Sequence, residues 1–98
     1  MSVTVGVLAL LEAKPERAEE LAALLTRARE LALLEQQTIS WYAFKADELT
    51  YGIFDTFENE AGRQEHLAGE IAQALVKAAP ELLAKDPDIR LIDLLAVT

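Results

Sequence analysis

The chain has 98 residues, no cysteine and a formal net charge of −8 at pH 7. These values exclude disulfides and thiolate metal sites, and the acidic balance with scattered basic residues argues against nucleic acid or anionic membranes as partners. The length fits one domain, residues 1–98, and a hydrophobic content of 52% indicates a globular chain. The apolar N-terminus lacks a basic start and a small-residue cleavage site, so we predict a cytoplasmic protein without a membrane span.

The first part of the chain predicts a strand followed by a helix. Val3 to Leu11 is uncharged and rich in Val and Leu, which is typical of a strand covered on both faces. Pro15 suits the first turn of a helix, and the glutamates after it suit the positive helix N-terminus. Apolar residues at three- and four-residue spacing then predict a helix that runs to about Glu35.

A β-hairpin is predicted next. Thr38 to Lys45 is dense in β-branched and aromatic residues, and a short loop (46–49) leads to the returning strand Thr50 to Phe57. We predict that Lys45 pairs with Thr50 across this loop. Because strand side chains alternate between the two faces, this register decides which side chains lie together.

The predicted register divides the hairpin side chains into two faces. One face, assigned to a ligand pocket, takes both tyrosines, two phenylalanines and the acid of the strand: Tyr42, Tyr51, Phe44, Phe57 and Asp55. The other face is apolar, and we assign Trp41 and Phe54 on it to the core of a dimer.

The rest of the chain predicts a broken helix and a last strand. Asn59 is a favourable N-cap for a helical pattern that continues towards Pro80, with a break or kink near Gly69. Pro80 and Pro87 bound a short turn, and Ile89 to Val97 forms the fourth strand.

The resulting order is β-α-β-β-α-β, an α+β, ferredoxin-like fold with helices on one face of an antiparallel four-stranded sheet. Two helices cover only one face of such a sheet, while both faces of the predicted strands carry apolar residues. An apolar face of that size predicts an association surface, and we expect a homodimer.

Taken together, these segments resemble the antibiotic biosynthesis monooxygenase domain, which forms dimeric α/β barrels. The resemblance covers Val3 to about Val97 and is carried by KPERAEELAALL, by the hairpin TISWYAFK and YGIFDTF, and by NEAGRQEHL with its histidine. It implies a cofactor-independent oxygenase acting on quinol-like or polyketide aromatics, in a pocket between sheet and helices; some relatives bind haem. A tryptophan ending the third strand and an asparagine on the first often take part in such pockets. Here Phe57 stands at the tryptophan position, and Val3 to Leu11 contains no asparagine.

His66 and Asp55 are the predicted catalytic residues. His66 is the only histidine, and Gly62 and Gly69 on its helical face either leave room for a ligand or allow close helix packing. Asp55 lies in an otherwise uncharged strand and needs a partner, because an isolated buried carboxylate is unfavourable. With His66 it would form a base that takes a proton from a phenol or quinol, whereas with Arg63 it would form a structural ion pair.

A second group of residues is predicted to bind a small aromatic substrate: Tyr42, Phe44, Tyr51, Phe57 and Arg63. One histidine without cysteine does not suit a zinc site, so we predict no metal. We expect no cofactor, with haem on His66 as the alternative. The leading hypothesis is therefore a cofactor-independent monooxygenase or related oxidoreductase. The alternative is a non-catalytic homodimeric module that binds a small hydrophobic ligand or haem.

Overall fold

The structure, a computed structural model, describes residues 3–98 as one sheet with helices on one side. Its elements are β1 (Val5–Glu12), a 3-10 turn (Pro15–Arg17), α1 (Ala18–Ala32), β2 (Thr38–Lys45), β3 (Thr50–Phe57), α2 (Glu60–Leu67), α3 (Glu70–Leu82) and β4 (Asp88–Asp93). The strands are antiparallel in the order β2-β3-β1-β4. The predicted ferredoxin-like fold is confirmed. No helix within residues 3–98 is long and apolar enough to cross a membrane.

The second half of the chain contains two helices, α2 and α3, whose ends were predicted from Gly69 and Pro80. The break predicted near Gly69 is confirmed, since α2 ends at Leu67 and Gly69 is the N-cap of α3. The predicted turn at Pro80 is wrong, because α3 continues through this proline to Leu82. A proline lacks the backbone N–H and disturbs the preceding turn. Burial of Leu82 against the core offsets that loss at the end of the helix.

The first and last strands also differ from their predicted bounds. β1 begins at Val5 and extends to Glu12. β4 ends at Asp93 rather than Val97: its last pair with β1 is Asp93 with Val5, followed by a backbone hydrogen bond from Leu94 to the carbonyl of Thr4. The residues after β4 run on without strand pairing, and Leu95 is fully exposed.

The core lies between the sheet and the helices. It is built from strand residues that are almost completely buried, from the inner faces of α1 and α3, and from the segment after α3: Ala9, Leu11, Tyr51, Ile53, Leu21, Leu25, Ile71 and Leu83. Burying an aliphatic side chain of this size contributes about 1.5–3 kcal/mol, so this layer is the main source of stability.

The hairpin register differs from the predicted one by one residue. Lys45 pairs with Tyr51 rather than with Thr50, and Trp41 therefore pairs with Asp55. The cause lies in the loop, where the Asp47 carboxylate accepts hydrogen bonds from the backbone N–H groups of Leu49 and Thr50. The backbone N–H of Ala46 also donates to the carbonyl of Thr50 at 2.8 Å, so Ala46 lies opposite Thr50 and the turn is the three residues 47–49 instead of the predicted four. The register prediction is therefore wrong.

The shifted register moves three aromatic side chains to the opposite face from the one predicted. Trp41 faces the helices and packs against the core, so its assignment to a dimer core is wrong. Tyr42 pairs with Phe54 and Phe44 with Gly52, which places both on the face away from the helices. Their predicted position beside Asp55 is therefore also wrong.

The face away from the helices is called the open face. Phe54 lies on it as predicted, and the strand pairings place five further apolar side chains beside it: Leu8, Leu10, Tyr42, Phe44 and Ile92. None of these six side chains is fully buried in the single chain. The predicted apolar association surface is thus present, although its composition follows the shifted register.

Candidate functional site

His66 lies on the buried face of the short helix α2. Asn59 begins this helix, because its side-chain Oδ1 accepts a hydrogen bond from the backbone N–H of Gly62. The three buried residues of the helix, Gly62, Arg63 and His66, follow the three- and four-residue spacing of one helical face. This geometry directs the imidazole of His66 towards the sheet and towards the turn after α1.

Asp55 of β3 holds one side of the imidazole. Its Oδ2 lies 2.8 Å from Nε2 of His66, and the Asp55 side chain is only 1% exposed. The contact has the distance of an ion pair but not the angle of a well-aligned hydrogen bond, and neither carboxylate oxygen has a hydrogen-bond partner elsewhere in residues 3–98. Of the two partners that the sequence left open for Asp55, the structure shows His66, and Arg63 pairs elsewhere.

Glu35, in the turn between α1 and β2, holds the other side. Its Oε1 lies 2.7 Å from Nδ1 of His66 and also accepts a hydrogen bond from the hydroxyl of Thr38 at 2.6 Å. The imidazole therefore sits between two carboxylates, with one carboxylate at each ring nitrogen. Such an arrangement is typical of an imidazolium, since the protonated ring carries an N–H at each nitrogen and a positive charge between the two carboxylates.

The electrostatics of His66 favour its charged form. Burial of the ring opposes the charge, but the contacts with Asp55 and Glu35 outweigh burial and raise the pKa of His66 above its ordinary value. Burial also raises the pKa of Asp55, against the opposing effect of His66. Two carboxylates within 2.8 Å of the ring therefore favour the charged imidazolium of His66.

A cleft of about 350 Å³ opens beside this group. We call it the Glu35 cleft; its lining comes from the end of α1, the turn before β2 and the junction of α2 with α3: Leu31, Leu34, Glu35, Gln36, Gln37, Thr38, Glu65, His66, Gly69 and Glu70. Most of the lining residues are polar or acidic, and the two leucines add apolar surface. The cleft can hold a small ligand that hydrogen-bonds to carboxylate and amide groups.

The two glycines of the His66 face have partly different roles. Gly62 allows close packing, because a Cβ atom there would lie 3.2 Å from Cβ of Gln37. Gly69 lines the Glu35 cleft, where a Cβ atom would lie 3.5 Å from Oε2 of Glu35. A Cβ atom at Gly69 would also lie 3.2 Å from the backbone oxygen of His66, so both glycines allow close packing, and Gly69 in addition lines the cleft.

Arg63 is a structural residue in this fold. Its guanidinium donates to the backbone carbonyls of Gly6 and Ile92 at 3.1 and 3.2 Å, and it pairs with the carboxylate of Glu60. These bonds tie α2 to β1 and to β4. Arg63 does not line the Glu35 cleft, so nothing in its position supports the predicted contact with substrate.

Tyr51 and Phe57 lie on the helix-facing side of the sheet, as predicted. Tyr51 is part of the hydrophobic core, and the ring of Phe57 is fully buried with its centroid 5.1 Å from that of His66. Neither lines the Glu35 cleft, and neither do Tyr42 and Phe44 on the open face. Of the seven residues predicted for the site, the structure brings His66 and Asp55 together beside a cleft. The catalytic role of these two residues stays a prediction.

Glu35 is the residue that the sequence analysis missed. Its sequence signal is weak but physical: a carboxylate near the C-terminal end of a helix is unfavourable beside the negative end of the helix dipole. A glutamate just after α1 therefore calls for a cationic partner, and His66 supplies it.

The comparisons with known proteins agree on the fold. No family model matches the chain, and no curated protein matches it. Among solved structures, the NE2512 protein of unknown function from Nitrosomonas europaea is 43% identical, with a TM-score of 0.95, over 98% of this chain and 93% of its own. An antibiotic biosynthesis monooxygenase is 20% identical with a TM-score of 0.80, over 94% of this chain and 99% of its own.

A third structure, that of Rv0793 from Mycobacterium tuberculosis, has a TM-score of 0.84 at 20% identity, over 96% of this chain and 97% of its own. At about 20% identity, such likeness shows the fold alone. Because identity to the first structure reaches 43% over nearly the full length of both proteins, the chain belongs to the same family as the NE2512 protein of Nitrosomonas europaea, with the fold of the antibiotic biosynthesis monooxygenase family.

Proposed function

We propose that this protein is a cofactor-independent monooxygenase or related oxidoreductase that acts on a quinol-like aromatic hydroxyl compound in the Glu35 cleft. The observation that carries the proposal is the buried His66, held between Asp55 and Glu35 at the edge of an open cleft. Ionisable groups that share a proton and meet a cavity are typical of sites that perform proton transfer. The monooxygenase-like fold adds support for this reaction class.

The proposed reaction begins with loss of a proton from the substrate. The O–H bond of the ligand breaks, its electron pair stays on the ligand oxygen, and the proton moves to the group formed by His66 and its two carboxylates. The resulting anion is the electron-rich species that reacts with dioxygen. The two leucines of the cleft, Leu31 and Leu34, supply the apolar surface for an aromatic ring.

We propose that the reaction needs no cofactor. Haem does not suit the residues around His66, because both ring nitrogens face carboxylates and no Arg or Lys lines the Glu35 cleft to meet the propionates. Axial ligation would therefore require the loss of a carboxylate contact that stabilises the charged ring.

A second candidate is a non-catalytic module that binds a small hydrophobic ligand. One observation favours it: Phe57, at the position of the family's pocket tryptophan, is fully buried against His66 and lies outside the cleft. On this reading, the buried charges hold the turn after α1 in place and the cleft binds without turnover.

The proposal includes a homodimer. The open face carries six apolar side chains that the single chain leaves at least partly exposed, which a second copy of the sheet would cover. The Glu35 cleft lies on the helical side, away from this face, so dimer formation leaves it accessible.

Oxygen uptake with a panel of quinols tests the reaction. We expect turnover by the wild-type protein and a loss of at least about 100-fold in His66→Ala, the scale of a lost proton-transfer group. Glu30→Gln, on an exposed part of α1, is the control and should retain the wild-type rate. Equal rates in wild type and His66→Ala would contradict the mechanism. Ligand-induced thermal stabilisation without oxygen uptake would favour the binding module.

A further inference from the structure

His66 lines the cleft, but neither of its ring nitrogens is free to bond to a ligand. Both ring nitrogens face carboxylates, and the side chain is only 7% exposed. Glu35 and His66 both line the cleft, but the Glu35 side chain is the more accessible of the two, at 19% exposed. A ligand in the cleft therefore reaches the carboxylate of Glu35 before it reaches the imidazole.

The two oxygens of Glu35 are in different environments. Oε1 is fully used, because it accepts from the hydroxyl of Thr38 and contacts Nδ1 of His66. Oε2 accepts no hydrogen bond from any residue in the range 3–98. Gly69 lies next to Oε2, and it has no side chain that would cover this oxygen. A Cβ atom added at Gly69 would lie 3.5 Å from Oε2.

We propose that Oε2 of Glu35 is the atom that accepts the hydrogen bond, and then the proton, of a neutral hydroxyl-bearing ligand, and that His66 and Asp55 are positioning residues. This inference rests on the proposed function and names the catalytic atom of the same site. In the step, the ligand O–H bond breaks, an H–Oε2 bond forms, and the electron pair stays on the ligand oxygen. The adjacent imidazolium offsets part of the negative charge that develops on the ligand.

The charges around the cleft favour a neutral ligand. Glu65 and Glu70 line it together with Glu35, and the only basic side chain in the lining is His66, already flanked by two carboxylates. A carboxylate or phosphate ligand would be repelled by this surface, whereas a neutral phenol donates to it. We therefore expect the Glu35 cleft to bind neutral hydrogen-bond donors more tightly than anions of the same size.

The test compares two probes of similar shape, one with a hydroxyl group and one in which a methyl group replaces the hydroxyl hydrogen. The probes are 4-methoxyphenol and 1,4-dimethoxybenzene, and the readout is the imidazole NMR signal of His66, which needs no assignment because the chain has one histidine. We expect the phenol to bind wild type about tenfold more tightly, the scale of one charge-assisted hydrogen bond. In Glu35→Gln this ratio should fall to about one to two, whereas Glu30→Gln should keep it.

A second variant keeps the inference testable if Glu35→Gln does not fold. Gly69→Ala leaves the carboxylate in place but puts a methyl group against Oε2, so the ratio should fall at least about threefold. Gly69 has extended backbone angles (φ −86°, ψ −173°), which alanine also adopts. Asp55→Asn tests the positioning role of Asp55. In this variant the midpoint of the His66 titration should shift, while the preference for the phenol should persist.

The outcomes separate the two proposals. An unchanged preference for the phenol in both Glu35→Gln and Gly69→Ala overturns the role of Oε2, as does a wild-type protein that binds neither probe or binds both equally. 4-Hydroxybenzoate binding as tightly as 4-methoxyphenol overturns the preference for neutral ligands. A retained phenol preference with no oxygen uptake on any quinol refutes the proposed oxidation but supports Glu35 as the ligand contact.

Discussion

Glu35 and His66 are 31 residues apart in the sequence, yet Oε1 of the glutamate lies 2.7 Å from Nδ1 of the histidine. The contact connects the turn after α1 to the buried face of α2. Since Asp55 lies on the other side of the ring, one imidazole joins three separate parts of the chain: a turn, a helix and a strand. The stability of the fold and the chemistry of the cleft therefore depend on the same side chain.

We predict that His66 titrates above its ordinary pKa of about 6.5. Burial of the charged ring opposes this shift, but the contacts with the Asp55 and Glu35 carboxylates outweigh it and raise the pKa of His66. NMR titration of the single imidazole measures it directly. Asp55→Asn should lower the midpoint, and the chain unfolded in urea should titrate near the ordinary value. A folded-state midpoint at or below that of the unfolded chain would refute the ion-pair arrangement.

The same shift predicts how stability depends on pH. A histidine with a raised folded-state pKa binds its proton more tightly when folded, so its stabilising effect is complete below the unfolded-state pKa of about 6.5. The effect is lost as pH rises through the raised folded-state pKa. We expect the free energy of unfolding, measured by urea denaturation, to fall with rising pH in this window. The slope should be smaller in His66→Gln, and an equal slope in both proteins would contradict the prediction.

Removing His66 should strongly destabilise the fold. His66→Ala leaves the Asp55 carboxylate buried without its cationic partner, and breaking a buried pair of this kind typically costs about 3–5 kcal/mol. Chemical denaturation of His66→Ala, Asp55→Asn and the double variant measures the effect. Because the two residues are in contact, the double variant should lose less than the sum of the single losses. Additive losses would show that the pair is not coupled.

Gly52 should not tolerate a side chain. A Cβ atom there would lie 2.6 Å from the carbonyl oxygen of Ala9 and would also collide with the ring of Phe44. Since a backbone atom of β1 cannot yield without disturbing the sheet, Gly52→Ala should destabilise the protein by about 3 kcal/mol or more. Thermal unfolding of the wild type and of Gly52→Ala measures this loss of stability. Gly69→Ala, where the nearest atom is 3.2 Å away, is the matched control and should change stability by no more than about 1 kcal/mol.

The open face should hold two copies together. Light scattering at micromolar concentration should give the mass of a dimer, and Phe54→Glu should give a monomer, because a charge would be buried at the centre of the apolar surface. Val76→Glu introduces the same charge on the outer surface of α3 and should remain dimeric. A monomeric wild-type protein, or a dimer that Phe54→Glu leaves intact, would refute the proposed interface.

The fold follows closely from the sequence. Runs of β-branched and aromatic residues, helical spacing of apolar residues and the N-cap at Asn59 are local signals, and local geometry obeys them directly. They predicted β2 and β3 to the residue and the break at Gly69. The sequence also indicated that Asp55 needs a partner, since a lone buried carboxylate is unfavourable anywhere in a fold.

Only the tertiary structure decided which side chains share the site. The hydrogen bonds of the loop to Asp47 set a register one residue away from the predicted one, and this difference transfers every side chain of β2 to the opposite face. This transfer removed Tyr42 and Phe44 from the side of His66. The turn after α1 then placed Glu35 against the imidazole, a contact across 31 residues that no local pattern encodes. The sequence determined that His66 would be buried on a helix facing the sheet, and three-dimensional packing determined which groups surround it.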